Sequence, residues 1–552
     1  MYPLTSGSCT ALTANGAHLG RRCHARAVES GSGTAVPVAE LLAALSLATD
    51  LGTGQPMGHA LRTCVRSVEV ARTLGLDEED VRRVHQVALL RFLGCSSDAS
   101  ETAGMTGGDN LAFVSAMAPV VMGSQREQLG RFVRAVGAGL PPARRARRVT
   151  AALADPGAGA RSLGAHCEVA AHLARRLGLD EGTVGSLAHA YERWDGKGHP
   201  DGLAGVEVRV AVRIVSVARD AELFARLAPD EAAAILQGRR GQAYNPAVVD
   251  AVLAGTGRHV RPGGPGERRG APGAWEAAVA AEPAPTRLAA PGDIDRVLEA
   301  IADFADLYSP WARGRSPRVA ALARDAAPAT GLGASEAHAI WRAALVEDVG
   351  RVGVPAGVWD HPGRLGVDGW EQVRLHPYLS ERVIAHGTGL THLVRLAGAH
   401  HERLDGTGYH RGMAAGAIAT PARLLAAADV FVALGADGPH RPAFDPEAVV
   451  ATMRQEVRDG RLDPASADAV LAAAGHHRGP ARRAWPKGLT DREVDVLRLI
   501  ARGRTNRGVA AELHLSPKTV GRHIENLYGK IGVSSRAAAA LFAMEERLLE
   551  PS

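Results

Sequence analysis

The sequence predicts an all-α protein: two tandem helical bundles followed by a compact four-helix module. Three observations carry that prediction. Apolar residues recur at helical spacing through the long segments. Two Pro/Gly/Ala-rich stretches, 261–292 and 475–488, divide the 552 residues into pieces of domain size. The two long pieces, 37–260 and 293–474, also share a motif, so one architecture is expected twice. Aromatic residues make up 4% and hydrophobic residues 46%, so the cores must be built from Ala, Leu and Val.

The chain opens on a Gly/Ser-rich segment, 1–36, expected to be disordered and lacking the apolar centre of a signal peptide. No apolar run reaches the roughly 18 residues of a membrane span. Five cysteines (Cys9, Cys23, Cys64, Cys95, Cys167) are odd in number and widely spaced, without a CxxC pair. Thiols in a reducing, cytoplasmic setting are the expectation. A net charge of +5 is mild and excludes a strongly basic nucleic-acid coat. The run Arg144-Arg145-Ala146-Arg147-Arg148 reads as a solvated helix face.

The shared motif is Tyr191-Glu192-Arg193-Trp194-Asp195-Gly196-Lys197-Gly198 in the first piece and His401-Glu402-Arg403-Leu404-Asp405-Gly406-Thr407-Gly408-Tyr409 in the second. The register between the copies is consistent. His59 to Arg91 spans 32 positions, as does Arg315 to Glu347; Ala190 to Arg219 spans 29, as does His400 to Asp429. His166 to Ala190 and His376 to His400 both span 24.

The second copy, with His400-His401-Glu402 and Asp405-Gly406-x-Gly408-Tyr409, resembles the HD-GYP family, helical phosphohydrolases whose active members hydrolyse cyclic di-GMP. The resemblance implies a metal site drawn from Glu347, Asp348, His376, His400, His401 and Asp429, with Asp348 as the bridging carboxylate. It also implies Arg351 and Tyr409 as contacts for a phosphate or nucleotide. Imidazole and carboxylate together suit iron, manganese or zinc. Two departures weaken the two-metal chemistry that the family uses. The family's His-Asp doublet reads Glu347-Asp348, and its initial His reads Arg315, whose guanidinium has no lone pair for a metal. Arg315 is expected to fill the vacated cation position against Glu347 and Asp429. In the first copy the ligand positions read His59, Arg91-Phe92, His166, Ala190-Tyr191 and Arg219, so that copy is expected to be catalytically dead. Between Phe92 and His166 it carries a longer insertion.

The last module, 489–552, starts with Thr490 and Glu493 at capping-box spacing. Val494, Leu497, Ile500 and Ala501 follow at helical spacing, and Gly503 stops the helix. Ser516-Pro517 opens a third helix with an N-cap and Pro at the first position. Val520, Ile524, Leu527 and Ile531 line one face of it. The stretch resembles the LuxR-type helix-turn-helix, which implies double-stranded DNA as partner and a homodimer. Its DNA contacts would be Thr505, Asn506, Lys518, Thr519, Arg522, His523, Asn526 and Lys530. Gly521 replaces the Lys common in that family. From Lys487 onward the module has 11 Lys/Arg against 8 Asp/Glu, so affinity is expected from placed phosphate contacts.

The reading is a cytoplasmic bacterial DNA-binding regulator without membrane segments. Its degenerate HD-GYP-like domains would sense a cyclic dinucleotide or related nucleotide, dimerise, and hold one divalent metal at most. The alternatives are a working cyclic di-GMP phosphodiesterase in the second copy, and a metal-free scaffold.

Overall fold

Short polar side chains set where the helices begin. Asp77 accepts a hydrogen bond from Asp80 N (2.8 Å) ahead of the helix Glu78–Leu90. Asp463 and Ser516 do the same for Pro464–Ala473 and Pro517–Ile531. The computed structural model describes residues 36–121, 125–155, 157–255, 273–387, 389–476, 485–501, 503–546 and 548. The segment expected to be disordered, 1–36, lies outside these apart from Val36. Among the described residues the fold is all-α, with one two-residue strand pair, Val36–Pro37 antiparallel to Leu288–Ala289.

The two bundles repeat each other in their close approaches. In the first, the Asp50 carboxylate accepts from Gly58 N (2.8 Å) and Ala60 N (3.1 Å) and fixes the start of His59–Thr73. In the second, Asp306 accepts from Ser316 N (3.0 Å) and Oγ (2.7 Å) at the start of Arg315–Ala326. A Cβ on Gly94 would fall 1.9 Å from His166 O, and one on Gly350 would fall 2.1 Å from His376 O. Both positions must be glycine, and they stand at the same register of the repeat. The motif loops close alike, with Glu192 accepting from Asp201 N and Gly202 N, and Glu402 from Arg411 N and Met413 N.

One continuous apolar core joins the bundles, running from Val36 through Leu45, Val87 and Ile214 to Phe304, Ile340, Leu425 and Leu471. The stretch expected to be a plain linker, 261–292, is in part a packed element. Within it the helix Ala274–Ala280 buries Trp275 and Ala278, which stand one turn apart on a single face. His85 Nε2 reaches Ala278 O at 2.9 Å and ties this helix to Glu78–Leu90.

The insertion of the first bundle also docks on the second. Asn110 donates to the Tyr308 hydroxyl (3.0 Å) and accepts from Ala356 N (2.8 Å), and Gly357 N donates to Gly108 O (3.1 Å). Arg144, Arg147 and Arg148 are exposed on the helix Pro142–Leu153, as a solvated face requires, while Arg145 is half-buried and donates to Val133 O and Arg134 O (3.0 Å each).

The C-terminal module has its own core of Val494, Leu497, Ile500, Val509, Val520, Leu527 and Ile531. Four helices build it: Asp491–Ala501, Asn506–Glu512, Pro517–Ile531 and Arg536–Glu545. The capping box forms, with Thr490 N donating to Glu493 Oε2 (2.8 Å) and Glu493 N to Thr490 Oγ1 (3.3 Å).

Candidate functional site

Four short segments of the second bundle converge on one spot. Asp348 follows the helix Ala334–Val346, and His376 starts the helix His376–Ile384. His400 and His401 open the motif loop, while Asp429 lies on Thr420–Leu434. Asp348, His376, His400 and His401 each bring one ligand atom to within 4.8 Å of all the others. Among the described residues this is the one group of three or more His, Cys, Asp or Glu arranged in that way.

The donor set fits a cation. His376 Nδ1 lies 2.6 Å from Val373 O and His400 Nδ1 lies 2.6 Å from Ala397 O. A carbonyl only accepts, so both Nδ1 atoms carry the proton. In the neutral rings both Nε2 atoms then present lone pairs, and these face each other at 3.1 Å. Two lone pairs at that distance repel unless a proton or metal ion lies between them. Asp348 Oδ1 completes the convergence, 3.3 Å from His376 Nε2 and 3.6 Å from His400 Nε2. Backbone carbonyls orienting imidazoles in this way are the usual outer support of a metal site. Burial lowers the pKa of His376, and burial together with His400 and His376 holds that of His401 well down, so both rings stay neutral.

The neighbouring position is already filled by a side-chain cation. Arg315 Nε lies 3.2 Å from Asp348 Oδ2, and its Nη2 pairs with Asp429. The expected contact of Arg315 with Glu347 is not formed; Asp348 takes that place, because the guanidinium fork spans the two aspartates. Burial opposes the charge of Arg315, but Asp429, Asp348 and Glu347 outweigh it and raise its pKa. Burial, reinforced by the Asp429 and Asp348 charges, pushes the Glu347 carboxyl well above its ordinary range. One Glu347 oxygen has no hydrogen-bond partner. Glu347 and Asp429 therefore stand beside the four-ligand group rather than in it. Asp348 stays ionised: burial disfavours its charge, but the Arg351 and Arg315 guanidiniums on its Oδ2 hold it well below the usual carboxylate range.

Arg351 Nη1 lies 3.1 Å from Asp348 Oδ2 with its guanidinium stacked 4.1 Å over the Trp359 ring. The Tyr409 ring stands 4.7 Å from that of His401. Two residues of this site carry no motif signal. Trp359 also packs edge-on against His376 at 5.4 Å, and Ser380 Oγ donates to Glu347 O while accepting from Gly350 N (2.8 Å). In the first bundle, His59 is buried with Nε2 unpartnered, and His166 Nε2 faces Asp98 Oδ1 at 2.8 Å.

In the C-terminal module Lys518, Thr519, Arg522 and Asn526 are exposed on the helix Pro517–Ile531, with His523 half-buried. A Cβ at Gly521 would meet nothing within 4 Å, so its side is open. Thr505 caps Asn506–Glu512, and Asn506 Oδ1 accepts from Arg536. Lys530 sits apart from these residues in role. Its Nζ pairs with the buried Glu493 (2.7 Å) and donates to Gly488 O (3.0 Å).

Fold and site together define a helical bundle with a four-residue cluster that could hold a metal ion, followed by a helix-turn-helix. Residues 299–466 match the HD domain family and residues 487–543 match the bacterial regulatory proteins of the luxR family. The chain thus carries an HD domain and, behind it, a luxR-family helix-turn-helix domain. Over 442 residues it is 29% identical to the 3'3'-cGAMP-specific phosphodiesterase 3 of Vibrio cholerae serotype O1, covering 78% of this chain and 92% of that one. The C-terminal 62-residue match to the probable transcriptional regulatory protein NarL of Mycobacterium tuberculosis is 50% identical, over 11% of this chain and 29% of that one. The crystal structure of the cyclic GMP-AMP specific phosphodiesterase V-cGAP3 of V. cholerae superposes with a TM-score of 0.55 at 23% identity. It covers 80% of this chain and 98% of that one, a likeness of fold. Among the described residues no helix is long and apolar enough to cross a membrane.

Proposed function

We propose that this chain is a cytoplasmic, homodimeric transcription regulator that reads double-stranded DNA through its luxR-family domain and senses a cyclic dinucleotide through its second bundle. The observation that carries the proposal is Arg315, paired with Asp348 and Asp429 beside a four-ligand cluster. That arrangement leaves room for one divalent transition metal, iron, manganese or zinc, on Asp348, His376, His400 and His401. A bound ion there supplies a positive anchor for a phosphate. Arg351, held flat against Trp359 and braced by Asp348, presents a second anchor, and Tyr409 borders the same spot. Ligand is therefore held without efficient hydrolysis, which in this class needs two cations.

Relatives named for 3'3'-cGAMP support a cyclic dinucleotide as the ligand class, and the length of that match keeps an active phosphodiesterase as the second reading. Incubating the metal-loaded full chain with 3'3'-cGAMP and with cyclic di-GMP separates the two. Binding with the nucleotide recovered intact supports the sensor; conversion to linear products at the pace of an enzyme supports the phosphodiesterase.

The DNA output is tested by fluorescence anisotropy at fixed salt. Arg522→Ala is expected to cost about 1–3 kcal/mol on a selected operator. Lys518→Ala should weaken operator and random DNA alike, and reduce the salt slope by about 1. Unchanged affinity in both variants would remove the exposed face of Pro517–Ile531 as the reading surface.

A further inference from the structure

We propose that the first bundle holds a binding site for a phosphate group, built on Arg91 and Arg219 where the second bundle holds cations. The two residues occupy the register positions of Glu347 and Asp429, so two acids of one copy are guanidiniums in the other. Phe92 stands where the second copy has Asp348, and Tyr191 where it has His401. Reversing the charge of a cation site leaves a site for an anion.

A cavity of about 70 Å³ opens at this place, lined by Arg91, Phe92, Tyr191, Arg193, Ser216 and Arg219 among others. Three guanidiniums line it against two carboxylates, Glu192 and Asp220. Asp220 is already engaged by Arg219, Arg239 (3.1 Å) and the Tyr244 hydroxyl. One oxygen of Glu192 is taken by the backbone N–H groups of Asp201 and Gly202, and the other has no partner. Arg193 pairs with Asp195 at 2.6 Å.

Arg91 has no such acid. Among the described residues its one hydrogen bond goes to Ser216 Oγ at 3.2 Å and it forms no ion pair, with the Asp220 charge acting on it only at longer range. The Nε groups of Arg91 and Arg219 are both sealed from solvent without an acceptor. Buried donors without acceptors are rare, and each calls for a partner. Burial and the adjacent Arg219 charge push the Arg91 pKa down, a repulsion that an anion between the two would relieve. The rings of Tyr191 and Phe92, 5.3 and 5.9 Å from the Arg91 guanidinium, hold it in place.

The cavity is several water volumes, which suits a phosphoryl group and is far below the several hundred Å³ of a nucleotide pocket. The group can come from free phosphate or from the 5'-phosphate of a mononucleotide whose base stays outside. This site is independent of the metal centre and stands whether or not the second bundle hydrolyses anything.

The test is the melting temperature of the full chain in sodium phosphate against sodium chloride of equal ionic strength, then against GMP and AMP. A saturable rise is expected for the wild type, with affinity weakened roughly tenfold or more in Arg91→Met, the loss of one charge-assisted contact. Arg219→Met is the second variant should the first not fold. Both comparisons are repeated in an Arg351→Met background, which removes the phosphate anchor of the second bundle, and the loss caused by Arg91→Met is expected to persist there. A mononucleotide bound more tightly than phosphate names the nucleotide as source, and equal affinity names free phosphate. No phosphate-dependent rise in the wild type, or the same rise in Arg91→Met, overturns the site.

Discussion

At position 315 a guanidinium stands where the first bundle has His59, and its fork holds Asp348 and Asp429 together. Removing one partner of such a buried cluster strands charge of one sign, at a typical cost of about 3–5 kcal/mol. Replacing it with a ligand should instead reopen the second cation position. The Arg315→His/Glu347→His double variant is expected to take up one more equivalent of divalent metal than wild type, read by elemental analysis. An unchanged metal content would show that Arg315 is not what keeps the second ion out. At this scale the site was largely legible. His376, His400, His401 and Asp348 follow from motif and register, because a ligand must be one of a few residue types. Trp359 and Ser380 were not, since a stacking ring and a hydroxyl bridging two backbone groups have no sequence spacing of their own.

Single contacts between elements decide how the bundles hold together. Asn110 satisfies the Tyr308 hydroxyl and Ala356 N across the junction. Asn110→Ala leaves Ala356 N unpaired in a buried place, while the Tyr308 hydroxyl keeps Val354 O (3.0 Å), and should cost about 1–3 kcal/mol by chemical denaturation; a cost near zero would mean that the junction carries no load there. His85 makes the helix Ala274–Ala280 sensitive to acid. Burial lowers its pKa to about 4 from an ordinary value near 6.5. Between those values the unfolded chain binds the proton and the folded chain does not. The stability is therefore complete above pH 6.5 and is lost as the pH falls toward 4, by up to about 3 kcal/mol. His85→Gln, which retains a donor for Ala278 O, should flatten that part of the stability profile. A profile unchanged from wild type would assign the acid sensitivity elsewhere. Neither contact could be read from sequence. Pro, Gly and Ala mark 261–292 as a linker by composition, and only the buried face of Trp275 and Ala278 makes part of it an element.

The whole molecule joins a helical HD-domain body to a luxR-family helix-turn-helix module. Its two bundles share one core, so the second is not an independent unit and measurements belong on the full chain. The repeat was legible because equal spacings between ligand positions survive the loss of the ligands. The fusion of the two cores was not, since apolar residues announce burial without naming the partner. A ligand that binds two arrangements of this fused body unequally would shift the population that engages DNA. In the proposed function the second bundle holds one cation of metal and one of arginine. The most direct measurement is metal per full-length chain, by elemental analysis after purification without chelator, with His376→Ala as the control. One equivalent in the wild type, absent from His376→Ala, is the expected result. Two equivalents, or none in the wild type, would contradict it.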